Sequence, residues 1–194
     1  MTTLAVIERD GFIVIASESQ SSDVDGSIVM IPGGKMFENN GIFIAGAGDV
    51  RGINILEHSW SAPKRGRLST DKFVTKILIP SMRQAFIDAG YEINKEDSTV
   101  VHNNIFLVIV DGKCYRIDED YSWERSVSGI YTAGSGEAYA LGAIAYAMKK
   151  HSRISAKQAE KILIDAVAIA IEHDAFSGGT IRTHIIETDG GHTH

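Results

Sequence analysis

Residues 1–19, MTTLAVIERDGFIVIASES, have the layout of a hairpin whose first strand starts at the chain's second residue. Leu4 to Glu8 and Phe12 to Ser17 are rich in Val, Ile and Phe, and Asp10-Gly11 between them suits a tight turn. Glycine tolerates positive φ there, and aspartate is among the better non-glycine residues. Such a hairpin holds Thr2 on a rigid edge and returns Glu18 toward the same end. Thr2 becomes the amino terminus if Met1 is removed, and its small side chain makes Met1 a plausible substrate for methionine aminopeptidase. A terminal threonine unites a hydroxyl nucleophile with a base, its own α-amine, whose pKa of roughly 7.7–8.0 leaves a neutral fraction near pH 7. The same residues also fit an ordinary chain start.

The 194 residues are 44% hydrophobic and 23% charged, with 19 Gly and 3 Pro. That is globular composition, enough for one domain over 1–194 with a sizeable core. A formal charge of −6 offers no electrostatic footprint for nucleic acid or an anionic membrane. Cys114 is the sole cysteine, so an intrachain disulfide and a cysteine-based zinc site are excluded. No apolar run approaches the roughly 20 residues of a membrane span, and no signal peptide is evident. A cytoplasmic location is the expectation.

Along the chain, Met36 to Glu38 and Ile42 to Ala45 form a second expected hairpin, turning at Asn40-Gly41 and running into Gly46-Ala47-Gly48. Asp49 is placed to cap a helix through Trp60. A second helix starts at Ser69 or Thr70 and stops at Gly90, with Pro80 expected to kink or split it. Tyr91 to His102 is polar linker. Ile105 to Val110 is an unbroken apolar strand buried on both faces, turning at Asp111-Gly112 into Lys113 to Ile117. Val127 to Ala133 is a further strand, Glu137 to Lys150 an alanine-rich helix, and Ser155 with Gln158 a capping box opening the next helix. Thr180 to Glu187 is a last strand and Thr188 to His194 a loose tail. Strands, two helices, strands, two helices and a strand make an α+β chain. The order fits two stacked antiparallel sheets with helices outside, a four-layer αββα sandwich.

On these residues the chain resembles the proteasome-type N-terminal nucleophile hydrolases: proteasome β subunits and the simpler bacterial proteasome-like proteases. The resemblance rests on Thr2-Thr3, Ala16-Ser17-Glu18-Ser19, Lys35, Ala45-Gly46-Ala47-Gly48-Asp49, Gly134-Ser135-Gly136 and Asp174-Ala175-Phe176-Ser177-Gly178-Gly179. The last is the most diagnostic, and a start at Met-Thr is more like the bacterial proteins. The resemblance implies Thr2 as nucleophile and Lys35 as the cation that lowers the cost of removing its proton. It implies the Gly46 N–H as oxyanion donor, a contribution worth roughly 2.7–4 kcal/mol in a measured analogue. Ser135, Asp174 and Ser177 would surround the terminal amine. Taken singly, each has a plainer explanation: a surface lysine, turn glycines, a helix-end aspartate. The family usually carries aspartate where this chain has Glu18, so the reach of that carboxylate differs by one methylene.

The activity so implied is a threonine endopeptidase, its subunits in a homo-oligomeric ring with Thr2 facing a chamber and peptide or unfolded protein as substrate. The chain has no Walker A pattern, so ATP would be hydrolysed by a partner unfoldase. No cofactor is implied. A metal site at His184, His192 and His194 is disfavoured because two of the three lie in the tail. Two other readings stand beside this one: a catalytically silent ring or scaffold subunit, and a small-molecule amidohydrolase with the same nucleophile. If Met1 is kept, the nitrogen of Thr2 is an amide and the base is lost.

Overall fold

The computed structural model describes residues 2–22, 25–91, 93–94, 100–151 and 153–188. Met1, His192 and His194, and most of the expected tail, lie outside them.

The chain opens with β1 (Leu4–Arg9), β2 (Phe12–Ser17), β3 (Gln20–Ser22), β4 (Ile28–Met30), β5 (Met36–Asn39) and β6 (Ile42–Gly48). Helix α1 (Val50–Asn54) runs on through a π-helical turn, Ile55–Ser59, and α2 (Thr70–Phe73) is joined to α3 (Ile79–Asp88) by another, Val74–Leu78. Short β7 (Ile93–Asn94) and β8 (Val100–Val101) precede β9 (Asn104–Val110), β10 (Lys113–Ile117), β11 (Trp123–Glu124) and β12 (Ile130–Ala133). Helices α4 (Glu137–Met148) and α5 (Ala156–His173) and strand β13 (Arg182–Glu187) follow.

Two antiparallel sheets stack, one in the order β12-β1-β2-β13 and the other β11-β10-β9-β6-β5. Leu4, Val6, Ile13 and Ile15 of the first meet Ala45, Ala47, Leu107 and Ile109 of the second. The opposite face of the first sheet, Ala5, Ile7, Val14 and Ala16, packs on α4 and α5 through Ala140, Ile144, Ala159, Leu163, Ala166 and Ala170. Helices α1 to α3 cover the outer face of the second sheet, where Phe73, Leu78, Met82 and Phe86 meet Ile44, Phe106 and Val108. The molecule is therefore the expected αββα sandwich. Because β2 is apolar on both faces, size sets its register: Ile13 and Ile15 fill the space between sheets, while Val14 and Ala16 lie under the alanine stripe of α5. A slip of one residue exchanges the two sets.

The three dipeptide turns are as expected: Gly11, Asn40-Gly41 and Asp111-Gly112 all have positive φ. Asp49 caps α1 by accepting from the Arg51 N–H at 2.9 Å, and Ser155 with Gln158 forms the reciprocal capping box. Pro80 does not split its helix but coincides with a distortion of it: the π-helical turn Val74–Leu78 widens the coil just ahead, where the proline ring would otherwise crowd the carbonyl of Lys76. One expectation changes. The strand expected from Val127 begins only at Ile130, because the Gly129 N–H turns back onto the Ser126 carbonyl. Val127 is fully exposed.

Candidate active site

Strand ends from both sheets converge on one edge of the sandwich. Leu4 pairs with Ser17, so Thr2 and Thr3 leave β1 beside the point where Glu18 leaves β2. Met36 pairs with Ala45, which sets Lys35 across from Gly46. Strand β12 ends at Ala133 and delivers Gly134-Ser135-Gly136, and α5 ends at His173 and delivers Asp174 and Ser177.

Glu18 is wholly buried, and four donors hold its carboxylate. Oε1 accepts from the Lys35 ammonium at 2.5 Å and from the Thr3 N–H at 3.1 Å. Oε2 accepts from the backbone N–H groups of Gln20, at 2.6 Å, and Gly178, at 3.3 Å. The longer side chain is thus absorbed: its extra methylene carries the carboxylate to a ring of donors that includes two backbone amides from different loops. Lys35 also donates to the Gln20 carbonyl at 2.5 Å, and its side chain is 3% exposed. Burial lowers the lysine pKa below the ordinary 10.5, and the nearby Glu18 and Asp174 carboxylates only partly offset it. The ammonium is therefore easier to deprotonate than a surface lysine, while a counter-charge keeps it in place.

A second cluster stands on the other side of Thr3. Asp174 Oδ2 accepts from Ser135 Oγ and Ser177 Oγ, both at 2.6 Å, and Oδ1 accepts from the Phe176 N–H at 3.2 Å. Burial alone would push this carboxyl up, but the hydrogen bonds from Ser135, Ser177 and Phe176 outweigh it and hold the pKa below 3.8. Asp174 is thus a carboxylate at neutral pH. Ser135 is exposed at the mouth of the site.

The glycines make close approach possible. A Cβ on Gly134, whose φ is +97°, would fall 2.0 Å from the Thr2 carbonyl oxygen, and one on Gly136 2.0 Å from Thr3 Oγ1. Gly178 leaves room for Gln20 Oε1, 2.1 Å from where its Cβ would lie. Gly134-Ser135-Gly136 is hence more than a turn: it makes room for both threonines of Thr2-Thr3.

Thr2, Glu18, Lys35, Ser135, Asp174 and Ser177 gather within this edge. Gly46 is there too, but its N–H donates to the Lys35 carbonyl at 3.0 Å. Sequence reasoning missed Thr3, Gln20 and Gly178 as members of the cluster. Thr3 had a signal in its place next to Thr2 and Gly178 in its place after Ser177, whereas Gln20 had none; Gln20 and Gly178 bond Glu18 through backbone N–H groups that every residue but proline carries. Of the histidines weighed as metal ligands, His184 stacks on Phe43 at 4.7 Å, on β13.

Comparison with known proteins places the fold. A solved structure of Thiobacillus denitrificans BPH, a bacterial proteasome homologue, in complex with epoxomicin superposes with a TM-score of 0.78 at 20% identity. The match covers 97% of this chain and 100% of that one. Eukaryotic HslV from Trypanosoma brucei matches with a TM-score of 0.65 at 19% identity, over 96% of this chain and 99% of its own. A curated relative, proteasome subunit beta type-6 of Arabidopsis thaliana, is 39% identical over 57 residues, 29% of this chain. The match spans about a quarter of that relative's length, 24%. No family model matches the chain. The chain has the fold of the proteasome-like N-terminal nucleophile hydrolases, and it resembles them in sequence over the stretch that aligns. Among the described residues, no helix is long and apolar enough to cross a membrane.

Proposed function

We propose that the chain is a proteasome-type threonine endopeptidase subunit, with Thr2 as nucleophile once its amine is free. The observation that carries this is the double embrace of Thr2-Thr3: a buried Lys35–Glu18 pair on one side and the Asp174–Ser135–Ser177 cluster on the other. Gly134 and Gly136 clear the space in which Thr2 and Thr3 lie, which an ion pair serving structure alone does not require.

In this reading the Thr2 oxygen attacks the scissile carbonyl carbon while its proton passes to the α-amine, with Lys35 stabilising the developing alkoxide. The tetrahedral intermediate collapses, the leaving amine takes that proton, and an ester to Thr2 remains. Water, deprotonated by the same amine, then releases the acid and restores the hydroxyl. The Gly46 N–H serves the oxyanion only if the Lys35 carbonyl releases it, and this favours a second reading, a silent subunit of the same fold.

A chamber built from a homo-oligomeric ring is part of the proposal. Tyr139, Leu141 and Tyr146 of α4 and Ile164 and Ile169 of α5 are exposed on the layer outside the first sheet, an apolar surface suited to packing between copies. Unfolded protein is the substrate that a chamber admits, and an ATP-dependent unfoldase is the partner that would deliver it. The test is a peptide electrophile followed by mass spectrometry of the digested chain. The modification is expected on Thr2 and absent from Thr2→Ala; labelling elsewhere, or none on chains lacking Met1, contradicts the assignment.

A further inference from the structure

We infer that Thr3 is a positioning residue of this site, the joint that locks the Lys35–Glu18 pair and the Asp174–Ser135–Ser177 cluster into one frame around Thr2. The inference rests on the proposed function for its kinetic consequence, and on geometry alone for the joint itself.

Thr3 is fully buried and is held at two points. Its N–H donates to Glu18 Oε1, the oxygen that also accepts from Lys35. Its hydroxyl lies 2.7 Å from Ser177 Oγ. Hydrogen counting gives that second bond a direction. Asp174 is ionised and can only accept, so the single hydroxyl hydrogen of Ser177 goes to Asp174 Oδ2. Ser177 has none left to offer, and Thr3 must be the donor. The chain of bonds therefore runs Thr3 O–H to Ser177 O–H to the Asp174 carboxylate, each bond polarising the next.

The N–H bonded to Glu18 belongs to the peptide group joining Thr2 to Thr3. The carbonyl of that group faces the Gly136 N–H at 3.4 Å. Fixing this plane fixes where the Thr2 side chain and amine start from. Gly136 completes the design, since a methyl there would displace Thr3 Oγ1. A buried residue that orients the nucleophile without meeting substrate acts on kcat and leaves KM alone.

Thr3→Val keeps the shape and the N–H and removes the hydroxyl. On processed protein, a fluorogenic peptide should show kcat reduced about tenfold or more with KM within about twofold. Thr3→Ser should recover most of the loss. Gly136→Ala, which pushes the hydroxyl aside while leaving Thr3 in place, should reproduce the Val phenotype and serves if Thr3→Val fails to fold. Carbon-13 NMR of aspartate-labelled protein gives a readout that needs no turnover: the Asp174 titration should move up by a few tenths of a pH unit in Thr3→Val and stay put in Thr3→Ser. An unmoved Asp174 titration, or a loss in KM with kcat intact, overturns the inference. If the processed parent chain cleaves no peptide, the peptidase reading fails alone, and the titration still decides Thr3.

Discussion

Two carboxylates sit beneath opposite ends of the first sheet, each paired with a cation, and they are built differently. Glu18, near Thr2, is held by Lys35 and by three backbone N–H groups. Glu8, near the Asp10-Gly11 turn, is held by Arg125 at 2.8 Å, by the Tyr131 hydroxyl at 3.0 Å and by the Cys114 N–H at 3.0 Å. Burial works against both cations, yet the outcomes diverge. The arginine ends with its pKa raised, since Glu8 and Tyr131 more than offset its burial, whereas the lysine ends with its pKa lowered. An arginine is charged at every working pH, so the Glu8 cluster can only hold structure. A lysine of lowered pKa can exchange a proton. Two side chains and one backbone N–H hold Glu8, whereas three backbone N–H groups hold Glu18, which leaves the lysine, among the described residues, as the titratable partner on that carboxylate.

The largest expected effect breaks the two clusters apart. Lys35→Met should cut peptide turnover by at least about 10²-fold in processed protein. Arg125→Met should leave turnover unchanged and lower stability by about 1 kcal/mol, a modest figure because a third of the arginine side chain is exposed to solvent. Denaturant melts and a fluorogenic assay on both variants check this; equal kinetic losses would erase the distinction.

Glu18→Asp sharpens it. The carboxylate retreats by about 1.5 Å, one carbon–carbon bond, and cannot satisfy all its donors. We expect roughly 1–3 kcal/mol of lost stability, from buried N–H groups left unpaired, and about tenfold slower turnover. A variant as fast and as stable as the parent would mean that the backbone donors are idle.

The smallest effect is in pH. The folded Asp174 carboxyl titrates below its unfolded value, so it binds fewer protons than the unfolded chain through the acid range. Its contribution to stability is full above about pH 4 and is lost as pH falls through the depressed folded value. The stability gap between the parent and Asp174→Asn should accordingly be flat from neutral pH to about 5 and shrink below about 4. A gap that widens with acid contradicts the assigned hydrogen bonds.

Much of the sandwich was legible because turn chemistry is local. Asp10-Gly11, Asn40-Gly41 and Asp111-Gly112 announce hairpins whatever surrounds them, and Ser155 with Gln158 announces a helix start. The site was legible as a set of residue types but not as a set of bonds. That the Gly46 N–H turns toward Lys35 depends on the β5–β6 register, which no single residue encodes. The bonds made by the Gln20 and Gly178 amides leave no trace in a sequence, because a backbone N–H binds whatever its side chain, although Gly178 is also the residue that leaves room for Gln20 Oε1. The reason for Gly136 appears only when Thr3 Oγ1 is seen beside it. Val127 was misjudged for a simpler reason: an apolar residue before a strand is counted into it, although Gly129 has already turned the chain.

The central claim is that the Thr2 amine must be free for chemistry to occur. With Met1 attached, that nitrogen is an amide and accepts no proton, while the Glu18–Lys35 pair can stay as it is. The most direct measurement pairs intact mass with peptide turnover across preparations that differ in the fraction of chains retaining Met1, including one treated with methionine aminopeptidase. Turnover should rise in proportion to the fraction lacking Met1 and vanish when all chains retain it. A fully Met1-retained preparation that cleaves peptide at the processed rate would contradict the account.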